Sequence, residues 1–286
     1  VINLRRYFRR LRVVECLIML GFPLAGVVFA AHEINFHVVS RALLFFLAAL
    51  LHASSVYSFN SFCGFAADVD NRRLTYVREG RKTGFLVFTI LFQCLAFLVY
   101  FILNSWLALM AAVSFVLWVL YSLPRYGLKN FPVTGTLLHF VSQILHFQMG
   151  YLVLLPISRY SLVVSIYFAL VFAGGHIHHE LIDYEADKRA GIRTGAVFFG
   201  QKGYLVLYYI VYLSSGLYWV SLYAFNMIRT WELVPFLGAF LLQSGTVLYF
   251  RVTRGKQLDF FLANRTLHRI FYFLAGMSYV ILKFAV

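Results

Sequence analysis

HIHHELIDYEADKRAGIRTG, residues 176–195, follows directly on an apolar run and sets Glu180, Asp183 and Asp187 three and four residues apart. At helical spacing these carboxylates share one face, where like charges repel unless a cation or a very polar mouth compensates them. The chain has eleven acidic residues in all, so three on one stripe with Glu185 beside them is more than solubility asks for. Ionisable groups bordering a membrane-length apolar segment are functional-site candidates by default.

The apolar run is not isolated. Of 286 residues 62% are hydrophobic and 13% charged, a balance that excludes the ordinary soluble globular class and predicts a polytopic membrane protein. Cys16, Cys63 and Cys94 lie in or near apolar runs without metal-type spacing, so they read as buried small hydrophobes. No cleavable leader is expected, because the basic opening VINLRRYFRRLRVV leads into an apolar segment that lacks a small-residue cleavage site.

Apolar stretches of membrane length predict nine crossings, over about 13–31, 38–59, 84–103, 106–123, 132–155, 161–176, 203–225, 233–250 and 270 to the C-terminus. The third and fourth form a tight pair joined near Asn104 and Ser105. The sixth and eighth are short, which suggests tilt or a helix ending inside the protein; Gly174 and Gly175 fit such an ending or plain close packing. On this plan 21 of the 25 Lys and Arg residues fall on one side, leaving Arg41, Arg159, Arg229 and Lys283 on the other. Basic loops resist translocation, so the N-terminus is expected on the cytoplasmic side and the C-terminus outside. The net charge of +14 then faces the cytoplasm and anionic headgroups, and nucleic acid is not an expected partner. The predicted fold class is all-α, a membrane bundle of nine transmembrane helices forming a single domain over 1–286.

A second polar patch, NSFCGFAADVDNRR, comes after the second segment, with Asn60, Gly64 and Asp68 four apart and Asp70 beyond. Each patch combines oxygen ligands at a helix end with a basic run just after it. Hard oxygen ligands suit Mg²⁺, which bridges to phosphate oxygens while nearby Arg and Lys neutralise the rest. Such a site draws charge off a diphosphate leaving group, so that an allylic carbon–oxygen bond ionises.

With these residues in view the chain resembles the UbiA-type superfamily of intramembrane prenyltransferases. ELIDYEADKRAGIRTGAVFFG, Glu180 to Gly200, is similar to the family's second signature, with Glu180 where Asp is commoner. YSLPRYGLKNFP, Tyr121 to Pro132, is similar to its tyrosine-proline-arginine-lysine segment between the fourth and fifth helices. In the first signature Asn60 and Asp68 match the outer positions, whereas Ser61 and Gly64 replace acids. The resemblance implies a helical bundle with a cavity open to the bilayer, in which an isoprenoid diphosphate binds through Mg²⁺ held by Asn60, Asp68, Asp183 and Asp187. It makes Asp68, Asp183 and Asp187 the expected catalytic residues, and Arg72, Arg73, Lys129, Lys188 and Arg193 diphosphate contacts. A hydrophobic acceptor then takes the isoprenoid group. A UbiA-type membrane terpene cyclase and a catalytically weakened lipid-binding or scaffold homologue remain alternatives, and the expected location is the cytoplasmic membrane with the signature loops inside.

Further candidates carry more than one reading. Asp70 either replaces the missing acid or pairs with Arg72 or Arg73. Glu180 either binds metal through water or holds a neighbouring base. His179 is a proton acceptor or polar contact near the diphosphate, or packs at the helix end. His139, Gln143 and His146 share one face of the fifth segment, where they line a cavity or bond across helices. A di-iron hydroxylase reading of His176, His178 and His179 is disfavoured, because His32, His37, His52, His139, His146 and His268 supply no second histidine box.

Overall fold

A computed structural model describes residues 13–65, 82–124, 126–253 and 257–285. Every regular element among them is helical, and the chain divides into two compact units, Val1–Ile157 and Ser158–Val286.

Unit one comprises α1 (Val13–Met19), α2 (Gly21–Ala30), α3 (Phe36–Cys63), α4 (Lys82–Leu103), α5 (Ser105–Ser122), a single 3₁₀ turn at Leu128–Asn130, and α6 (Thr134–Leu152). The first expected crossing is therefore broken at Leu20 into α1 and α2. Pro23 explains the break: it has no N–H to offer the Met19 carbonyl, and its ring crowds that oxygen. Elsewhere the chain caps its own helices. Asn35 accepts from the Val38 N–H at 2.9 Å to start α3, and Asn104, the single residue between α4 and α5, accepts from Trp106 N–H at 2.9 Å. Arg41 reaches across the unit, donating to the Val153 carbonyl at 2.8 Å and the Leu103 carbonyl at 3.1 Å, so it satisfies the exposed ends of α6 and α4 together.

Two glycines set the distance between α2 and α6. A Cβ on Gly26 would stand 2.1 Å from the Phe147 oxygen, and one on Gly150 1.8 Å from the Pro23 oxygen. Backbones this close are the small-residue crossing expected where helices associate in lipid. The apolar centre of the unit brings Phe45 and Ala48 of α3 against Tyr100 of α4, Leu107 and Ala111 of α5 and Met149 of α6.

Unit two comprises α7 (Arg159–Arg189), α8 (Gly195–Ala224), α9 (Thr230–Thr253) and α10 (Gln257–Ala285). A reciprocal capping box between Ser158 and Ser161 starts α7. The helix then runs for 31 residues straight through Gly174 and Gly175, so of the two readings of that pair the helix ending is the one overturned. Apolar neighbours on α8 hold it: Tyr167 and Phe168 pack on Trp219 and on Phe236 of α9, with the Tyr167 and Trp219 rings 4.2 Å apart. At the start of α9 the Glu232 carboxylate accepts from the Arg229 N–H at 2.6 Å and from the Tyr160 hydroxyl, fastening α9 to α7.

By length and composition six helices can cross a membrane: Phe36–Cys63, Lys82–Leu103, Ser105–Ser122, Arg159–Arg189, Gly195–Ala224 and Thr230–Tyr249. The protein is thus an integral, multi-pass, all-α membrane protein. Each of the other three expected crossings corresponds to helix that falls short of this description among the described residues. The first is split at Leu20, α6 carries His139, Gln143, His146 and Gln148, and α10 carries Asp259, Arg265, Arg269 and Lys283.

Candidate active site

The acidic stripe lies on the last three turns of α7. His176, Glu180, Asp183 and Asp187 succeed one another at spacings of four, three and four, hence on one face of an unbroken helix. His179 Nδ1 stands 3.4 Å from Asp183 Oδ2, and His176 Nδ1 stands 3.7 Å from Glu180 Oε1. Asp183 and His179 are half-buried, whereas Glu180 is buried.

Beyond Asp187 the chain makes a tightly specified turn. Gly191 has φ +69°, the left-handed conformation that glycine adopts without Cβ strain, and Ile192 N–H donates back to the Asp187 carbonyl at 2.9 Å. The chain thereby reverses, and Thr194 arrives as the residue before α8. Its hydroxyl donates to Asp187 Oδ2 at 3.3 Å and makes no cap to its own helix. The first N–H groups of α8 are met instead by Glu180: its carboxylate accepts from Ala196 N–H at 3.4 Å, from Gly195 N–H and from the Tyr204 hydroxyl. A buried carboxylate at a helix N-terminus is well placed, since it satisfies donors the helix cannot satisfy itself and sits at the positive end of the dipole. Gly195 is required for this closeness, because a Cβ there would stand 2.5 Å from the Tyr204 ring. The α8 backbone then kinks at Gly200, at φ 73° and ψ 157°.

This arrangement separates the stripe into two functions. Glu180 clasps α8 onto α7, while Asp183 and Asp187 occupy the more open part of the face. Replacing Glu180 by Leu strands two backbone N–H groups and a phenol, at a cost of about 1–3 kcal/mol for each group left unpaired. Glu180→Leu is therefore expected to lower the melting temperature in detergent markedly and Glu180→Gln only slightly. The two are separated by monitoring the melt with intrinsic fluorescence; equal shifts would remove the clasp.

The basic candidates are also placed. Lys188 extends over the Tyr184 ring, 5.7 Å from its centroid, and the Arg193 guanidinium lies 5.7 Å over the Phe198 ring. Both are exposed, on either side of the Gly191 turn. In unit one, Asn60 is half-buried in the last turn of α3, its carbonyl accepting from Gly64 N–H at 2.9 Å. Gly64 has φ −85° and ψ 0°, a conformation open to any residue, so the backbone does not demand glycine where the family signature has an acid. Lys129 sits on the 3₁₀ turn between α5 and α6, and both Lys129 and Lys82 act electrostatically on the Cys63 thiol. Two ammonium groups therefore accompany Asn60 at this end of unit one. Asp68, Asp70, Arg72 and Arg73 lie outside the described residues.

Among the described residues no three His, Cys, Asp or Glu side chains converge as a metal cage. Two hard carboxylates one turn apart nevertheless suit Mg²⁺, which keeps several waters and takes its remaining oxygens from a phosphate. Sequence reasoning missed Thr194, Tyr204, Gly195 and Lys82. The Thr194 signal was present, since a threonine after Gly191 and before an apolar run marks a helix start; Tyr204 left no signal, being 24 residues from the carboxylate it meets.

Residues 19–267 match the model of the UbiA prenyltransferase family. The chain is similar in structure to a UbiA homolog from Archaeoglobus fulgidus bound to DMAPP and Mg²⁺, with a TM-score of 0.75 at 19% identity over 96% of this chain and 99% of that one. Similar too are the same homolog bound to GPP and Mg²⁺, with a TM-score of 0.75 at 20% identity and the same coverage, and a digeranylgeranylglyceryl phosphate synthase, with a TM-score of 0.73 at 14% identity over the whole of both chains. No curated protein sequence matches the chain. At these identities the structural likeness shows the shared fold.

Proposed function

The chain belongs to the UbiA prenyltransferase family, and from that premise we propose that it transfers an isoprenoid group from an isoprenoid diphosphate to a hydrophobic acceptor. The carbon–oxygen bond to the diphosphate breaks, its electron pair leaving with the diphosphate. The acceptor supplies the pair for the new bond to the allylic carbon and loses a proton. One observation carries the reading: Asp183 and Asp187 share a helical face, and the adjoining Gly191 turn is flanked by Lys188 and Arg193.

In this reading Asp183 and Asp187 would hold Mg²⁺ in unit two, and Asn60 with Asp68 would hold Mg²⁺ in unit one. Mg²⁺ held by these residues would supply positive charge to offset that of the leaving diphosphate. Thr194 fixes the Asp187 carboxylate through its hydroxyl, and Glu180 keeps the start of α8 in place. In unit two Lys188 and Arg193 would neutralise phosphate oxygens; in unit one Lys129, with Arg72 and Arg73, would do the same, together with Lys82, which like Lys129 acts on the Cys63 thiol. Asp70 is a reserve ligand, and His179 steers Asp183. The split helix α1–α2, together with α6 and α10, completes nine crossings of one transferase domain. The cytoplasmic membrane, with the N-terminus and both signatures inside, is supported by the concentration of 21 of 25 basic residues on that side.

The decisive experiment measures diphosphate release from radiolabelled geranyl diphosphate and longer homologues, in membranes supplemented with lipid extract, with Mg²⁺ or with EDTA. Release is expected only with Mg²⁺, alongside a prenylated product by mass spectrometry. Equal release in both conditions, or none with any chain length, would overturn the proposal.

A further inference from the structure

Unit one contains a buried polar cluster that diphosphate chemistry does not use. His52 Nδ1 lies 3.1 Å from Gln93 Oε1, and His52 Nε2 3.0 Å from Ser114 Oγ. Ser114 Oγ in turn lies 2.8 Å from His146 Nε2, and Ser55 Oγ 2.5 Å from Gln93 Oε1. Five side chains from α3, α4, α5 and α6 are thus linked in the middle of helices that otherwise bury hydrocarbon. None of the five is Lys, Arg, Asp or Glu.

Gln143 stands next to this chain and does not join it. Four residues beyond His139 and three before His146, it shares their face of α6. Trp118 of α5 spans the same level, with its ring edge-on to His139 at 4.9 Å and stacked over His146 at 6.5 Å. Gln143 has 0% exposure, and both its Nε2 and its Oε1 lack a hydrogen-bond partner among the described residues. Beside it the Ser142 hydroxyl is in the same position, as is Gln93 Nε2. A buried amide left without partners is costly, so packing alone favours an apolar side chain here. Exchanging O and N on the amide does not help, because one donor and one acceptor stay unpaired in either orientation. His146 is the half-buried member of the cluster.

A hydrocarbon tail gains nothing from this lining, and an anionic group finds no cationic side chain within it. A donor and an acceptor side by side complement a neutral hydroxyl, which donates to Oε1 and accepts from Nε2. We infer that Gln143, backed by the His146–Ser114–His52–Gln93 chain, is the recognition point for an uncharged, hydroxyl-bearing acceptor. Its place nine residues into α6, about 14 Å along the helix axis, puts this polar end well away from the 3₁₀ turn that carries Lys129. The inference names the acceptor class for the transfer proposed above and rests on that reading.

Trp118 makes occupancy measurable without turnover, since bromine next to an indole quenches its emission. The full chain in detergent is titrated with 2-bromohexadecan-1-ol, 2-bromohexadecanoic acid and 1-bromohexadecane, with Trp118→Phe identifying the Trp118 component. The alcohol is expected to quench saturably at a concentration about tenfold below the other two, the worth of roughly one good hydrogen bond. Gln143→Leu is expected to fold and to abolish that preference. Equal quenching by all three probes, or a preference that survives Gln143→Leu, would overturn the inference. So would a Gln143→Leu protein that is merely more stable while wild type shows no preference, the result expected of a buried water. Alcohol-selective quenching without diphosphate release removes the transferase reading and leaves a hydroxyl-binding site, whereas release without selectivity removes only the site.

Discussion

Asp183→Asn and Asp187→Asn are each expected to lower Mg²⁺-dependent diphosphate release by about 10²-fold or more while leaving the protein folded, because transition-state charge stabilisation of this kind is worth several kcal/mol. Asparagine keeps the size and hydrogen-bonding capacity of the side chain and removes only the charge. The local structure tolerates that change: position 187 still offers an oxygen to the Thr194 hydroxyl, and the Gly191 turn rests on the Asp187 backbone carbonyl, not on its side chain. Neither carboxylate belongs to the Glu180 clasp. A loss of release with an unchanged melting temperature therefore isolates the electrostatic role, measured by release of labelled diphosphate at saturating Mg²⁺. Retained activity in both variants would mean that the stripe is a solvated acidic surface.

Gly150→Val is expected to have the largest effect on stability. Its Cβ would have to occupy a point 1.8 Å from the Pro23 oxygen and 2.9 Å from the Pro23 carbonyl carbon. Both are backbone atoms, so no rotamer relieves the clash and α2 must separate from α6. Overpacking of this kind costs about 1–3 kcal/mol where side chains can adjust, and more where they cannot. Gly84, with nothing within 4 Å of the corresponding position, is the matched control. Size-exclusion profiles of detergent extracts are expected to show aggregation or loss of the monodisperse peak for Gly150→Val and not for Gly84→Val. Equal profiles would show that α2 and α6 do not depend on the close crossing.

Several features of the protein were legible because they are local. The link at Asn104, the ends of α4 and α5, and the register of Glu180, Asp183 and Asp187 depend on neighbours within four residues, and helical periodicity exposes them. The membrane class came from composition. Expectations failed where a local cue had two readings. Gly174 and Gly175 pass through α7 without a break, since glycine weakens a helix by only about 1 kcal/mol and the flanking apolar face compensates. The expectation of one unbroken first segment overlooked Pro23, beside which that segment divides at Leu20.

Glu180 shows the limit from the other side. Its spacing grouped it with the aspartates, yet burial and the approach of α8 give it Gly195, Ala196 and Tyr204 as partners. His139, Gln143 and His146 were recognisable as one polar face, but whether they line a cavity or bond across helices depended on His52 and Ser114, which lie 94 and 32 residues from His146 in sequence. By itself, then, the sequence determined the membrane class, the helical periodicity, the acidic stripe and the family signatures, all consequences of composition and of contacts within one or two helical turns. Only the tertiary structure decided which carboxylate is spent on capping α8, which glycines bring α2 against α6, and which polar side chains meet inside unit one. Those partners are joined by packing between helices, and no spacing along the chain encodes it.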